Sequence, residues 1–189
     1  MESVAPQLLV EAPPGSDRAG GWEARWTVEK FRGDVDPNHP DAKPYEVVHI
    51  DSNLLMYGGA SCLIECLIGN GTSTAAQTLT YFSNGRAYLG VGDSSTAAAA
   101  TQTDLQAATN KSRKAMEATF PTHTDGTTSG AASAVWKSSW DTASGNYAWA
   151  EIGLFNASSG GRMLNRKVVT LGTKTNADTW TLSLTLTIS

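Results

Sequence analysis

Residues Tyr147–Ser189 read YAWAEIGLFNASSGGRMLNRKVVTLGTKTNADTWTLSLTLTIS, three apolar runs separated by Gly/Ser-rich and Thr/Asn/Asp-rich turns, the pattern of an antiparallel meander. In the last run Trp180, Leu182, Leu184, Leu186 and Ile188 share one face, and Thr181, Ser183, Thr185 and Thr187 share the other. A period of two fits a strand and no helix. Burying the five large side chains gains about 1.5–3 kcal/mol each, while ordering about ten residues of backbone costs about 1–2 kcal/mol per residue. The terms nearly cancel, so the strand needs ladder partners and an opposing layer. Ala148, Ala150, Ile152 and Leu154 alternate in the run before Asn156, and Met163, Val168, Val169 and Leu171 populate the middle run. Ala157-Ser158-Ser159-Gly160-Gly161 places glycines where a hairpin needs positive φ.

Working outward, 189 residues fit one domain with a core of its own. Charged residues are 17% and Thr, Ser, Ala and Gly abound, which suits a sheet with small-residue turns better than a helical bundle. The net charge is −4 and the densest basic group is the dispersed Lys111, Arg113 and Lys114, which argues against direct nucleic-acid binding. No apolar run approaches membrane-spanning length, and Met1–Val10 lacks the basic start and apolar core of a secretory signal. A soluble chain made in the cytoplasm is expected. Cys62 and Cys66 stand four apart, on one face of a helix and poorly placed for an unstrained disulfide. They read as small apolar residues.

Residues 1–21 hold Pro6, Pro13, Pro14, Gly15, Gly20 and Gly21, with Leu8, Leu9 and Val10 the main apolar group. They read as an extended N-terminal arm able to order on a neighbouring subunit, leaving 22–189 as a single β-rich domain. Trp22, Ala24, Trp26 and Val28 alternate with charged or polar residues, predicting a strand. Gly33–Pro44 is a loop by turn chemistry, and Tyr45–Ile50 a short strand. Residues 53–68 are expected to be a helix capped by Asp51, Ser52 or Asn53 and ended by Gly69, its apolar face packed on the sheet, with Gly58-Gly59 as an internal weak point. Strands are expected over Arg86–Val91, Lys114–Phe120 and Ala131–Trp140, with a short helix from Thr103 or Asp104 through Ala108. The fold class is mainly β: an antiparallel β-sandwich or jelly-roll-like domain with one packed helix and an extended arm.

Signals for chemistry are sparse. His39, His49 and His123 lack a Gly-x-Ser-x-Gly elbow. Gly90-Val91-Gly92 has no third glycine or long helix to make a nucleotide loop, and reads as a tight strand end. The aspartates of 34–41 lack the spacing of a calcium loop. Glu151 faces away from Ile152 on its strand, with Trp149 and Gly153, and is expected to pair across the hairpin with Arg162 or Arg166. A pair of catalytic carboxylates is the rival reading. Trp136, Trp140, Tyr147 and Trp149 read as core aromatics, with a sugar platform as the alternative. Asn70, Asn110 and Asn156 begin Asn-x-Ser/Thr triplets, common by chance in so Thr/Ser-rich a chain. No catalytic, cofactor or metal residue is assigned. Trp22, Trp26, Leu8, Leu9 and Val10 are the candidate partner contacts.

The runs AYLGVGDSSTAAAATQTDLQAATNKSRKAM (Ala87–Met116) and YAWAEIGLFNASSGGRMLNRKV (Tyr147–Val168) resemble tailed-bacteriophage virion proteins. In these a strand ending Gly-x-Gly-Asp leads to a small-residue loop and an Asp-Leu-Gln segment, and a later Glu-x-Gly-Leu-Phe strand precedes a hairpin. The resemblance implies a non-enzymatic structural protein of the virion, foremost a capsid decoration or cement (minor head) protein gripping adjacent major capsid subunits. The other station it implies is a tail or collar fibre component with a receptor-binding role. Other virion proteins are the expected partners, with a homo-oligomer, a trimer or ring, as the assembly. No cofactor, nucleic acid or membrane is expected.

Overall fold

The computed structural model describes residues 21–69 and 81–188. Along them run β1 (Trp22–Arg32), β2 (Glu46–Asp51), β3 (Leu54–Leu55), α1 (Tyr57–Ile68), β4 (Tyr88–Gly92), β5 (Lys111–Ala115), β6 (Thr122–His123), a 3-10 turn (Ser129–Ala132), β7 (Ser133–Trp140), β8 (Ala148–Phe155), β9 (Met163–Thr173) and β10 (Asp178–Ile188). Two five-stranded antiparallel sheets pack together, one in the order β2-β1-β10-β7-β6 and the other β3-β9-β8-β4-β5. The described residues form a β-sandwich with one α-helix, as the alternating runs predict. The segment holding Leu8, Leu9 and Val10 lies outside the described residues.

β10 is the centre of the first sheet. It pairs along its whole length with β1, from Trp22 opposite Ile188 to Arg32 opposite Asp178, and on its other side with β7, from Trp180 opposite Trp140 to Thr187 opposite Ser133. Trp180, Leu182, Leu184 and Leu186 are buried, whereas Ile188, expected on the same face, is exposed at the end of the sandwich. The meander holds only in part. β8 and β9 form a hairpin around Gly160 (φ 58) and Gly161 (φ 67), but β9 joins β3 in the second sheet and β10 crosses to the first. The alternating row of β1 is the better partner, because Trp26 and Val28 stand beside Leu184 and Leu182 and extend one apolar surface. The crossing is fixed by Lys174, whose buried Nζ donates to the carbonyl of Asp141 (2.6 Å) and to Oδ1 of Asn146 (3.0 Å).

Across the layers, Trp149 of β8 sits between Trp140 of β7 and Trp180 of β10. Both ring pairs are edge-to-face with centroids 5.0 Å apart. These indoles are core, not a sugar platform. Trp149 and Ile152 are both buried in this core, although strict alternation puts them on opposite faces. The ladder between β8 and β9 is irregular between Trp149 and Glu151. There Gly172, opposite Trp149, takes φ 98, a conformation a side chain would oppose. Trp26 is also fully buried, so its assignment as a partner contact is corrected: alternation in β1 points it inward with Ala24 and Val28. Trp22 is half-buried at the open end.

Several boundaries also move. The helix starts at Tyr57, not Asn53, because Ser52 adopts φ 68 and Leu54–Leu55 pair with β9 as β3. Its N-cap is Met56, with no side-chain cap, and Gly58-Gly59 falls in its first turn. The strand expected over Lys114–Phe120 lies at Lys111–Ala115, and the one expected from Ala131 begins at Ser133 after the 3-10 turn. No helix forms at Thr103–Ala108, because the backbone N–H groups of Gln106 and Ala107 are taken by the Glu151 carboxylate.

Candidate functional site

Helix α1 is attached to the sandwich at one end of β9. The β8–β9 ladder is irregular again between Leu154 and Phe155, which pair with Asn165 and Met163 and leave Leu164 as the extra residue. The Leu164 carbonyl accepts the Met56 N–H at 3.0 Å. A Cβ on Gly59 would collide with the Leu164 backbone, so the first turn can lie this close only with glycine there. Arg162 holds the next turn, with Nη2 3.2 Å from Glu65 and Nη1 donating to the Gly58 carbonyl at 3.3 Å. Of the helix, only Gly59 and Cys62 are buried.

The helix packs on the sandwich as expected, but Leu63 and Leu67, expected on its packed face, are exposed. Tyr57 is 67% exposed, Ile64 57%, Leu67 81% and Ile68 62%. Among residues 57–69 Glu65 is the one charged side chain, and it is engaged by Arg162. Cys66 is exposed and its partner in spacing, Cys62, buried. Exposed apolar side chains clustered on one element are candidates for contact.

Beside the helix lies an apolar groove of about 230 Å³, lined among others by Trp22, Leu63, Phe82, Trp136, Leu186 and Ile188. Trp22 and Ile188 are the terminal pair of the β1–β10 ladder. Nε1 of Trp22 donates to Asn53 Oδ1 at 3.3 Å, and Nε1 of Trp136 to the Phe82 carbonyl at 2.9 Å, so both indoles are oriented with an apolar edge at the groove. Trp22 is thus placed half-buried on the wall of this groove. The helix face was missed, because its residues read as core when only their apolarity is counted. A larger cleft of about 510 Å³ near Glu23, Thr185 and Thr187 has a mixed polar and apolar lining, and Arg25 within it is engaged by Asp51 at 3.1 Å.

The opposite side of the second sheet is covered by the loop of residues 93–110, stapled by a buried ion pair. Arg166 Nε donates to Glu151 Oε2 at 2.8 Å, and both side chains are fully buried. The same carboxylate accepts the N–H groups of Gln106 (2.9 Å) and Ala107 (2.7 Å), while Arg166 donates to Gln102 Oε1 and the Thr96 carbonyl, each at 2.9 Å. Glu151 therefore pairs with Arg166, one of the two arginines expected. Gly90 and Gly92 stand at the tight end of β4, as expected: a Cβ on Gly92 would meet the Glu151 carboxylate, and one on Gly90 the Phe155 ring. They clear space for the loop and its anchor.

A second, more open staple centres on Asp104, which accepts from Arg113 Nη2 (2.8 Å) and Lys111 Nζ (3.0 Å). Partial burial pushes its carboxyl up, but the hydrogen bonds from Arg113 and Lys111, the Arg113 charge and the Leu105 N–H outweigh that and hold it below the ordinary 3.8. A carboxyl lowered by folding contributes stability above its unfolded value, and that contribution is lost as pH falls through the folded value. Wild type is therefore expected to lose more stability than Asp104→Asn between about pH 5 and pH 2, read from urea midpoints at each pH. Parallel curves would remove the staple from the account.

The remaining candidates do not converge. His39 lies by Asp41, His49 by Thr27, and His123 by the Ser133 carbonyl. Among the described residues no three His, Cys, Asp or Glu side chains are grouped to hold a metal ion, and no helix is long and apolar enough to cross a membrane. Asn156 is buried at the β8–β9 turn, its Oδ1 accepting the Arg162 N–H at 2.7 Å. The chain matches no protein-family model, no curated protein and no solved structure.

Proposed function

We propose that this protein is a non-enzymatic structural component of a bacteriophage virion, a decoration or cement protein that docks on the shell across adjacent major capsid subunits. The observation that carries this reading is the uncharged outer face of α1, Tyr57, Ile64, Leu67 and Ile68, presented on a sandwich whose own core is already filled. Such a face gains free energy only where a partner covers it. A protein that binds the assembled shell and not its dispersed subunits adds that free energy to the shell alone.

Composition of purified particles tests this. The chain is expected in high copy on heads that lack tails, and Leu67→Asp, at a position open to solvent, is expected to abolish attachment while leaving the thermal midpoint of the free domain unchanged. A low-copy protein that disappears with the tails would move it to the fibre station. Absence from the mature particle, or turnover of any substrate, would overturn the reading.

A further inference from the structure

We infer that the apolar groove beside α1 is filled by the Leu8-Leu9-Val10 segment of a second copy of this chain. The groove is lined mostly by aliphatic and aromatic side chains, with His123 and Ser133 the polar members and Ile188 left exposed. Its occupant should therefore be a short run of uncharged aliphatic residues. Two internal or leading stretches lie outside the described residues, 1–20 and 70–80. The second is polar and small apart from Leu79, whereas the first carries three consecutive large aliphatic residues.

The point of departure of that first stretch favours a neighbour's groove over the chain's own. Trp22, where the chain enters β1, is itself part of the groove wall, so residues 1–20 leave from the rim. Between Val10 and Trp22 stand Pro13 and Pro14. Paired prolines favour extended polyproline geometry at about 3.1 Å per residue. Twelve residue steps, counted from Val10 to Trp22, reach up to about 40 Å when extended, enough to cross to an adjacent domain. Each copy then gives one segment and receives one. Such a head-to-tail exchange closes into a ring when the rotation between neighbours allows.

The free protein is sufficient to test this, so the outcome is independent of whether the chain belongs to a virion. Sedimentation velocity over a concentration series is expected to show an oligomer for wild type. The Leu8→Asp/Leu9→Asp variant and the Ile188→Asp variant, each altered at one side of the contact, are expected to sediment as monomers that still unfold cooperatively, with a midpoint that no longer rises with protein concentration. For connectivity, Leu9→Cys chains are mixed with Ile188→Cys chains, both in a Cys66→Ser background, and oxidised. Covalent pairs of the two chains support the exchange. A chain carrying both cysteines that links only within itself would overturn it, as would a wild-type monomer at every concentration or an oligomer indifferent to both sets of aspartates.

Discussion

Replacing Arg166 by methionine is expected to destabilise the domain by about 3–5 kcal/mol, because it strands the Glu151 carboxylate in the interior without its cation. The loss is larger than removal of a surface ion pair would give, since both partners are fully buried and the guanidinium also satisfies Gln102 and the Thr96 carbonyl. The double change Arg166→Met/Glu151→Leu should recover part of it but not all. Its leucine offers no acceptor to the Gln106 and Ala107 N–H groups, which the carboxylate now serves, and each buried unpaired donor costs about 1–3 kcal/mol. Urea midpoints measure the stability, and proteolysis within residues 93–110 reports whether the loop lifts. A single-variant change below about 1 kcal/mol would show that the pair is dispensable.

Trp149→Ala is the other change with a large expected effect, also about 3–5 kcal/mol. Trp149 is the inter-sheet member of the three-indole stack, and its removal breaks both edge-to-face contacts at once, each worth about 0.5–1.5 kcal/mol beyond the area buried. It also removes one of two hydrogen bonds at the Gly145 carbonyl, that from the indole N–H at 3.0 Å, leaving the one from the Tyr147 N–H. Near-ultraviolet circular dichroism should lose the signal of the coupled indoles, and the urea midpoint should fall. An intact signal from Trp140 and Trp180 with little loss of stability would mean that the sheets close up over the gap.

How far the fold can be read in the residues depends on whether a local pattern meets a single demand. The Trp180–Leu186 alternation was legible because β10 has one face toward the core and neighbours on both sides, so parity alone sets its orientation. The Glu151–Arg166 pairing was legible because a carboxylate inside an apolar strand needs a cation within reach. Trp149 was legible as a core aromatic but not by its face, since an irregular ladder breaks the parity on which that placement depended. The start of α1 was hidden for a related reason: Ser52 turns the chain with positive φ, and the extra residue Leu164, distant in sequence, fixes where the first helical turn can sit. Strand β9 could not be assigned to its sheet from its own apolar residues, because they fit either layer. Of the two tryptophans named together, Trp22 lies on the groove wall and Trp26 in the core, and the open face of α1 is as apolar in sequence as a buried helix.

The ladder between Trp22 and Ile188 joins residues at opposite ends of the domain. A chain emerging from the ribosome can close β1 onto β2 early, but the other flank of β1 stays without a partner until β10 has been made. Assembly of that sheet is consequently a late event dominated by distant pairings, which favours slow folding and leaves the apolar row of β1 in need of temporary shelter during synthesis.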